Sequence, residues 1–297
     1  MNGVLNIYKE KDQTSFDVVR AVRRITGIKK CGHLGTLDPM AEGVLPVCVG
    51  YATKLVDYMM ASDKEYVAQF ELGYSTDSFD TTGNVLERND DIKPSFEDVE
   101  KTLKSFVGEP ELIIPAYSAV KINGKRAYEL ARKGEIEDAG KRTMKINEIT
   151  LMSYEYPQGM FRMGCYKGTY VRSVIHEAGL MLGTYGVMSG LIRTVSGAFD
   201  QTKAYKLSQL EELKEKGELE SAFTSVTEAT GWGIAKVHPD AVRLVKNGVS
   251  IKSHNYIKLP DGQHKMYFMS APDGELLAFA EYMQGSTSPL KIVKLLN

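Results

Sequence analysis

The chain has 297 residues, 43% of them hydrophobic and 25% charged, a globular composition whose length suits one large domain and a small one. No apolar run nears the roughly 18 residues of a membrane span, and the charged first fifteen residues lack the apolar stretch of a signal peptide, so a cytoplasmic location is expected. The net charge of −1 conceals segregation: residues 1–36 hold seven Lys/Arg against three acids and residues 121–145 eight against four, whereas residues 77–111 hold ten acids against four bases, a pattern compatible with a basic groove for nucleic acid.

In chain order, Thr14 or Ser15 can cap a helix running to Thr26 and stopping at Gly27, with Val18, Val19, Val22 and Ile25 as its apolar stripe. Arg20, Arg23 and Arg24 share the opposite face, which is either solvated or able to grip phosphates. Residues 44–49 read as a buried strand and residues 52–61 as a helix. Tyr66, Ala68, Phe70 and Leu72 alternate with Val67, Gln69 and Glu71, the period of a strand. Ser95 and Asp98 have capping-box spacing for a helix over residues 95–106. After Pro115 comes a Gly- and Lys-rich segment, residues 121–126, then a short helical patch over residues 127–132. Strands are predicted over residues 145–154 and 160–166, and Thr169 can cap a helix whose apolar face is Val171, Val174, Ile175, Ala178 and Leu182. Ser208 and Glu211 offer a capping box before a helix that ends near Gly217. From about Ala235, short apolar runs at residues 256–259, 266–269 and 276–280 alternate with the hairpin-turn dipeptides Asp261-Gly262 and Asp273-Gly274, so a small β-rich unit is expected.

Cys31, Cys48 and Cys165 form no CxxC pair, and the five histidines show no HxxxH or HExxH spacing. Neither a metal site nor a cofactor is expected, and the chemistry should proceed on side chains. Asp38-Pro39 admits two readings. Asp is a favoured helix N-cap and Pro a favoured first helical residue, so the pair alone describes a helix start. Gly32, Gly35 and Gly43 around it permit tight backbone and close approach of a substrate, which suits a catalytic carboxylate.

The whole string GHLGTLDPMAEGVLP, residues 32–46, resembles the GHxGTLDPxAxGVLP pattern of TruB-type tRNA pseudouridine synthases, in their bacterial stand-alone form. Three further stretches match in the same order. Lys64-Glu65-Tyr66 resembles the family's KEY segment, residues 115–121 (PAYSAVK) and 124–132 (GKRAYELAR) resemble PxYSAxK and GKRxYELAR, and residues 167–173 (KGTYVRS) resemble KGTYIRS. A fainter likeness joins Leu191-Ile192-Arg193-Thr194, Gly197 and Phe199 to LRRTxxGxF, and the resemblance spans about residues 1–235. It implies an α+β fold with a mixed, mainly antiparallel central sheet of the pseudouridine synthase type and flanking helices over residues 1–235. An RNA-clasping insertion would lie at about 115–145, and a small β-rich PUA-like RNA-binding domain over 236–297.

The activity implied is isomerisation of uridine to pseudouridine at position 55 in the T-loop of tRNA. Asp38 would attack C1′ or remove the C2′ proton, and the resemblance does not choose between these routes. Arg172 would pair with Asp38 and Tyr66 would stack on the extruded uracil, with Gly35, Thr36, Tyr170 and Leu191 lining the pocket. His33 would fill the space that the base vacates. Lys121, Lys125, Arg126, Arg132, Arg142 and Lys167 would hold phosphates of the T-arm, positioning the RNA without reading its sequence. No membrane and no obligatory protein partner is implied, and a monomer is the default. The pattern also departs from the family. Residues 8–15 lose the Pro and Gly of DKPxGxTS, which puts Lys9 in doubt as a site residue; Tyr166 stands where Ser is usual; and Ile192 removes a charge. The alternatives are a catalytically silent RNA-binding relative, an RNA-guided relative of the dyskerin type, and an unrelated hydrolase with an Asp nucleophile, for which no phosphate-cradling loop is visible.

Overall fold

The computed structural model describes residues 1–136 and 138–296. The elements that build the site and its support are, in chain order, β1 (Gly3–Lys9), α1 (Ser15–Thr26), β2 (Cys31–His33), β3 (Glu42–Val49), β4 (Lys64–Leu72), α2 (Phe96–Lys104), β5 (Ile146–Glu155), β6 (Gln158–Cys165), α3 (Val171–Met181), β7 (Gly186–Ser196), α4 (Leu207–Glu215) and β8 (Phe223–Thr224). They form the expected α+β arrangement. Among the described residues the central sheet has nine strands in the order β5-β6-β4-β7-β3-β1-β8, with β2 pairing with β3 and Phe199–Asp200 with β7. All neighbours run antiparallel except β7 and β3, which meet in parallel through Ile192–Glu42 and Arg193–Gly43.

Local chemistry explains the elements. Thr14 caps α1 through a reciprocal box with Asp17, and Gly27 ends it in the left-handed conformation at φ 71°. Ser95 and Asp98 make the same box before α2. Leu5, Ile7, Leu45 and Val47 point into the core shared with α1 and α3, while Val4, Val44 and Cys48 point to the other face. Both faces of β1 and β3 are therefore buried, which is why residues 44–49 read as a continuous apolar run.

On that second face sits a five-stranded C-terminal sheet made of β9 (Gly233–Val237), β10 (Tyr256–Lys258), β11 (Met266–Ser270), β12 (Leu276–Tyr282) and β13 (Leu290–Leu295), in the order β10-β9-β11-β12-β13. Its Phe268 and Phe279 enter the apolar seam with Val4, Val44 and Cys48, and Trp232 and Tyr58 close over them with ring centroids 5.0–5.6 Å from the two phenylalanines. Among the described residues, no helix is long and apolar enough to cross a membrane.

Several local expectations change. Residues 52–61 form two short pieces, a 3-10 segment Gly50–Leu55 and one α turn Val56–Met59. Thr53 turns its hydroxyl back onto the Gly50 carbonyl at 2.7 Å, a side-chain bond that competes with regular helix. Thr169 is not the cap of α3: Tyr170 holds that position, and the Thr169 hydroxyl donates to the Tyr166 carbonyl instead. Helix α4 starts before the expected box, with Lys206 at the cap and its N–H donating to Gln209, so Ser208 and Glu211 lie inside the helix and Glu211 pairs with Arg24. Asp273-Gly274 does turn between paired strands β11 and β12. Asp261-Gly262 does not, because β9 intervenes between β10 and β11; the Asp261 carboxylate accepts from the Gln263 N–H and the Tyr267 phenol in a local turn.

At the parallel junction Gly43 adopts φ +103°, and a Cβ there would lie 2.2 Å from the Arg193 carbonyl oxygen. Substitution Gly43→Ala combines backbone strain with a backbone clash, and should lower the unfolding free energy by about 3 kcal/mol or more in denaturant titration.

Candidate active site

Arg172 lies in the first turn of α3, next to the inward-facing Val171 and Val174, so the helix buries it. Its side chain is only 5% exposed. A guanidinium in such a place must be matched by charge and hydrogen bonds, since an unpaired buried ion is strongly unfavourable. The partners come from three separate segments. Nη2 lies 2.9 Å from Asp38 Oδ2 and donates to the Tyr117 carbonyl at 3.0 Å; Nη1 donates to the Ser78 carbonyl at 2.9 Å and to Asp80 Oδ2 at 3.3 Å. Asp80 is itself buried and its second oxygen accepts from the Ser78 and Thr82 hydroxyls at 2.8 and 2.6 Å.

No helix follows Asp38-Pro39. The Asp38 carbonyl accepts from the Ala41 N–H at 3.0 Å in a turn, leaving the carboxylate aimed at Arg172, so the helix-cap reading is not the one realised. Without regular structure, this loop is held by three side chains. The buried Ser15 hydroxyl donates to the Leu37 carbonyl at 3.0 Å and accepts from the Leu37 N–H at 2.8 Å. The Lys9 ammonium, fully buried, donates to the carbonyls of Ala41, Pro39 and Glu10. Arg193, 1% exposed, donates from Nε to Val44 O at 2.7 Å and from Nη2 to Gly35 O at 3.1 Å. Gly35 takes φ +116°, which is open to glycine at little cost.

Asp38 and Arg172 form part of the wall of a cavity of about 240 Å³, also lined by Gly35, Thr36, Tyr66, Lys167, Tyr170, Leu191 and Arg193. Tyr66 and Leu191 arrive from neighbouring strands: Tyr66 of β4 pairs with Arg193 of β7, and Ala68 with Leu191. Burial pushes the Tyr66 and Tyr170 phenols above their usual range, so both are neutral near pH 7. Lys64 also lines the cavity and is buried, with its ammonium on the Ser62 carbonyl and hydroxyl at 2.9 and 2.7 Å. A second cavity of about 560 Å³ shares Asp38 and Arg172 with the first and includes Asp80, Tyr117, Tyr128 and Arg132.

The expected residues thus divide. Asp38, Tyr66, Arg172, Gly35, Thr36, Tyr170, Leu191 and Lys167 converge on one cavity, and Arg132 reaches the second. His33, on β2, is not among the residues that line the cavity; its Nδ1 is buried without a hydrogen-bond partner, and burial followed by the Arg193 charge lowers its pKa. Lys121, Lys125, Arg126 and Arg142 stay outside both cavities and are exposed, Arg126 donating to the Ala119 carbonyl. Four residues that sequence reasoning did not place at the site hold it together: Asp80, Arg193, Ser15 and Lys9. Asp80 was masked by the acidic run around it. Arg193 is the arginine kept in the LIRT segment, and Lys9 the lysine kept in the altered N-terminal loop. Among the described residues, no group of three or more His, Cys, Asp or Glu side chains is placed to hold a metal ion.

Comparison with known proteins identifies the family. The model of the TruB family of pseudouridylate synthases (N-terminal domain) matches residues 23–171. A relative from Clostridium novyi (strain NT), named tRNA pseudouridine synthase B, is 40% identical over 297 residues and is matched over 100% of both chains. One of the same name from Clostridioides difficile (strain 630) is 40% identical over 261 residues, 87% of each chain. The crystal structure of a Cbf5–Nop10–Gar1 complex superposes with a TM-score of 0.75 at 28% identity, covering 99% of this chain and 85% of that one. The chain belongs to the TruB family of pseudouridylate synthases. It is accordingly an isomerase of the pseudouridine synthase class.

Burial lowers the Lys9 ammonium to a pKa of about 8, with nearby Asp38 and Glu42 opposing the shift. The unfolded chain, with an ordinary lysine near 10.5, binds more protons between those values, so Lys9 makes the fold more stable as pH rises from about 8 toward 10.5. Unfolding free energies measured across that window should rise less steeply in Lys9→Met than in the wild type.

Proposed function

We propose that this protein converts uridine to pseudouridine at position 55 in the T-loop of tRNA, acting as a stand-alone cytoplasmic monomer without metal or cofactor. The observation that carries the reading is the 2.9 Å Asp38–Arg172 ion pair in the wall of a cavity that also presents Tyr66 and Leu191. The reaction breaks the C1′–N1 bond, turns the uracil and forms a C1′–C5 bond, after which C5 loses a proton and N1 holds one, leaving the composition unchanged. Both possible openings use the carboxylate anion of Asp38. It adds to C1′ as N1 departs with the bonding electrons and is displaced when C5 bonds to C1′, or it removes the C2′ proton as the C1′–N1 bond breaks and returns it to C2′ when C5 adds. Arg172 supplies the opposite charge, and its burial keeps water from weakening the pair.

Extruding the uridine from a stacked loop costs about a few kcal/mol, and stacking on an aromatic ring returns roughly 1–3 kcal/mol. Tyr66, neutral and flanked by Leu191, is the ring assigned to this role, while Tyr170, Gly35 and Thr36 shape the pocket. The exposed Lys121, Lys125, Arg126, Arg132 and Arg142 of the 115–145 insertion, with Lys167, are assigned to T-arm phosphates. The catalytic domain is assigned to residues 1–235, and the C-terminal unit, residues 236–297, to a PUA-like RNA-binding role. The end-to-end match to relatives named as tRNA enzymes favours this reading over an RNA-guided one.

Incubation with an unmodified tRNA transcript, followed by pseudouridine mapping at base resolution, should show product at position 55 and none with Asp38→Asn. Product elsewhere only, or full activity of that variant, would refute the reading. Arg172→Ala should cut kcat by about 10²–10³ with a smaller change in KM, as expected when an electrostatic partner in the site is removed. Addition of EDTA should leave the rate unchanged.

A further inference from the structure

We propose that His176 is a positioning residue for the reacting carboxylate: by stacking on Phe79 it fixes the turn that presses Ser78 and Asp80 onto Arg172. The proposal rests on Asp38 being the reacting group. The turn spans residues 77–83, between the short paired strands Tyr74–Thr76 and Val85–Arg88. It must bring the Ser78 carbonyl and the Asp80 carboxylate to the same nitrogen, Arg172 Nη1, at 2.9 and 3.3 Å. The residue between them absorbs the reversal, and Phe79 does so at φ +62°. That left-handed conformation is common for Gly or Asn but costly for a bulky side chain, so contacts outside the turn must hold it.

Contacts from the sheet and from the helix both bear on it. On the sheet side, the Phe79 carbonyl accepts from the Met188 N–H and the Thr81 N–H donates to the Met188 carbonyl, each at 3.0 Å, which ties the turn to β7. On the helix side, the buried Phe79 ring stacks on the His176 imidazole, with centroids 3.8 Å apart and planes 10° from parallel. His176 lies four residues after Arg172 on α3, one turn along the same face. The helix that carries the guanidinium therefore also carries the plate that sets the depth of the turn. Burial lowers the His176 pKa, so the plate is neutral and adds no second cation beside Arg172. His176 belongs to neither set of cavity-lining residues, so it does not itself face the reacting carboxylate.

The test compares wild type, His176→Ala, His176→Phe and Phe79→Gly on an unmodified tRNA transcript, with kcat and KM read separately and thermal melting of each variant recorded. His176→Ala should lower kcat about three- to tenfold with KM within about twofold, the size expected from losing one aromatic stack. His176→Phe, which keeps the plate, should restore kcat to within about twofold. Phe79→Gly relieves the backbone but deletes the ring, and should be as slow as His176→Ala. If His176→Ala keeps the wild-type kcat, if Phe fails to rescue a folded variant, or if Phe79→Gly is fully active, the inference is wrong while the functional reading stands. If wild type itself makes no pseudouridine, the functional reading falls and this inference falls with it.

Discussion

The buried guanidinium of Arg172 organises the site. Arg172 has lost its water and is repaid only by groups delivered from elsewhere: the Asp38 carboxylate, the Asp80 carboxylate, and the carbonyls of Ser78 and Tyr117. Each partner sits outside the regular helices and strands, yet all must arrive within hydrogen-bonding distance together. The charge therefore acts as a rivet through the loops that meet at the first turn of α3. It also explains an asymmetry between the two acids. Asp80 is buried and its oxygens are occupied, whereas Asp38 is about one-third exposed and faces the cavity. One carboxylate balances the cation and the other remains available for chemistry.

The loop bearing Asp38 shows how side chains substitute for secondary structure. Lys9 from β1, Ser15 from α1 and Arg193 from β7 each take main-chain atoms of the loop or of its junction with β3. The anchors come from three elements on different sides, so the loop is constrained from several directions. Shifting any one of those elements would be felt at the carboxylate, even though none of the anchors shares its hydrogen bonds.

Much of this was legible in the sequence, and the parts that were not share a cause. Helix α1, strand β4 and helix α2 follow from periodicity and from caps that act within four residues. The cluster of Asp38, Tyr66 and Arg172 could be expected from the motif strings, although no local rule brings positions so far apart together. Asp80 escaped notice because a run of acids looks like a solvated surface unless one knows which acid turns inward. Ser15 was legible as a possible cap, but Thr14 takes that task and leaves Ser15 free to clamp Leu37. The misplaced starts of α3 and α4 and the Asp261-Gly262 turn reflect rules that describe neighbours in sequence. Which strand lies beside which, as with β9 between β10 and β11, is decided by tertiary packing.

The apolar seam beneath the C-terminal sheet has a further consequence. Strand β1 carries the Lys9 anchor of the Asp38 loop, and β1 and β3 turn Val4, Val44 and Cys48 to the other face, against Phe268, Phe279 and Leu296. The terminal unit thus serves as the outer half of a shared interior, not as an appendage carried on a tether. A shortened chain ending before it would show water a broad oily surface, inviting self-association, and would loosen the strands from which Lys9 reaches the loop. Grafting a different module onto this enzyme in its place would have to reproduce that surface as well as the module's own fold.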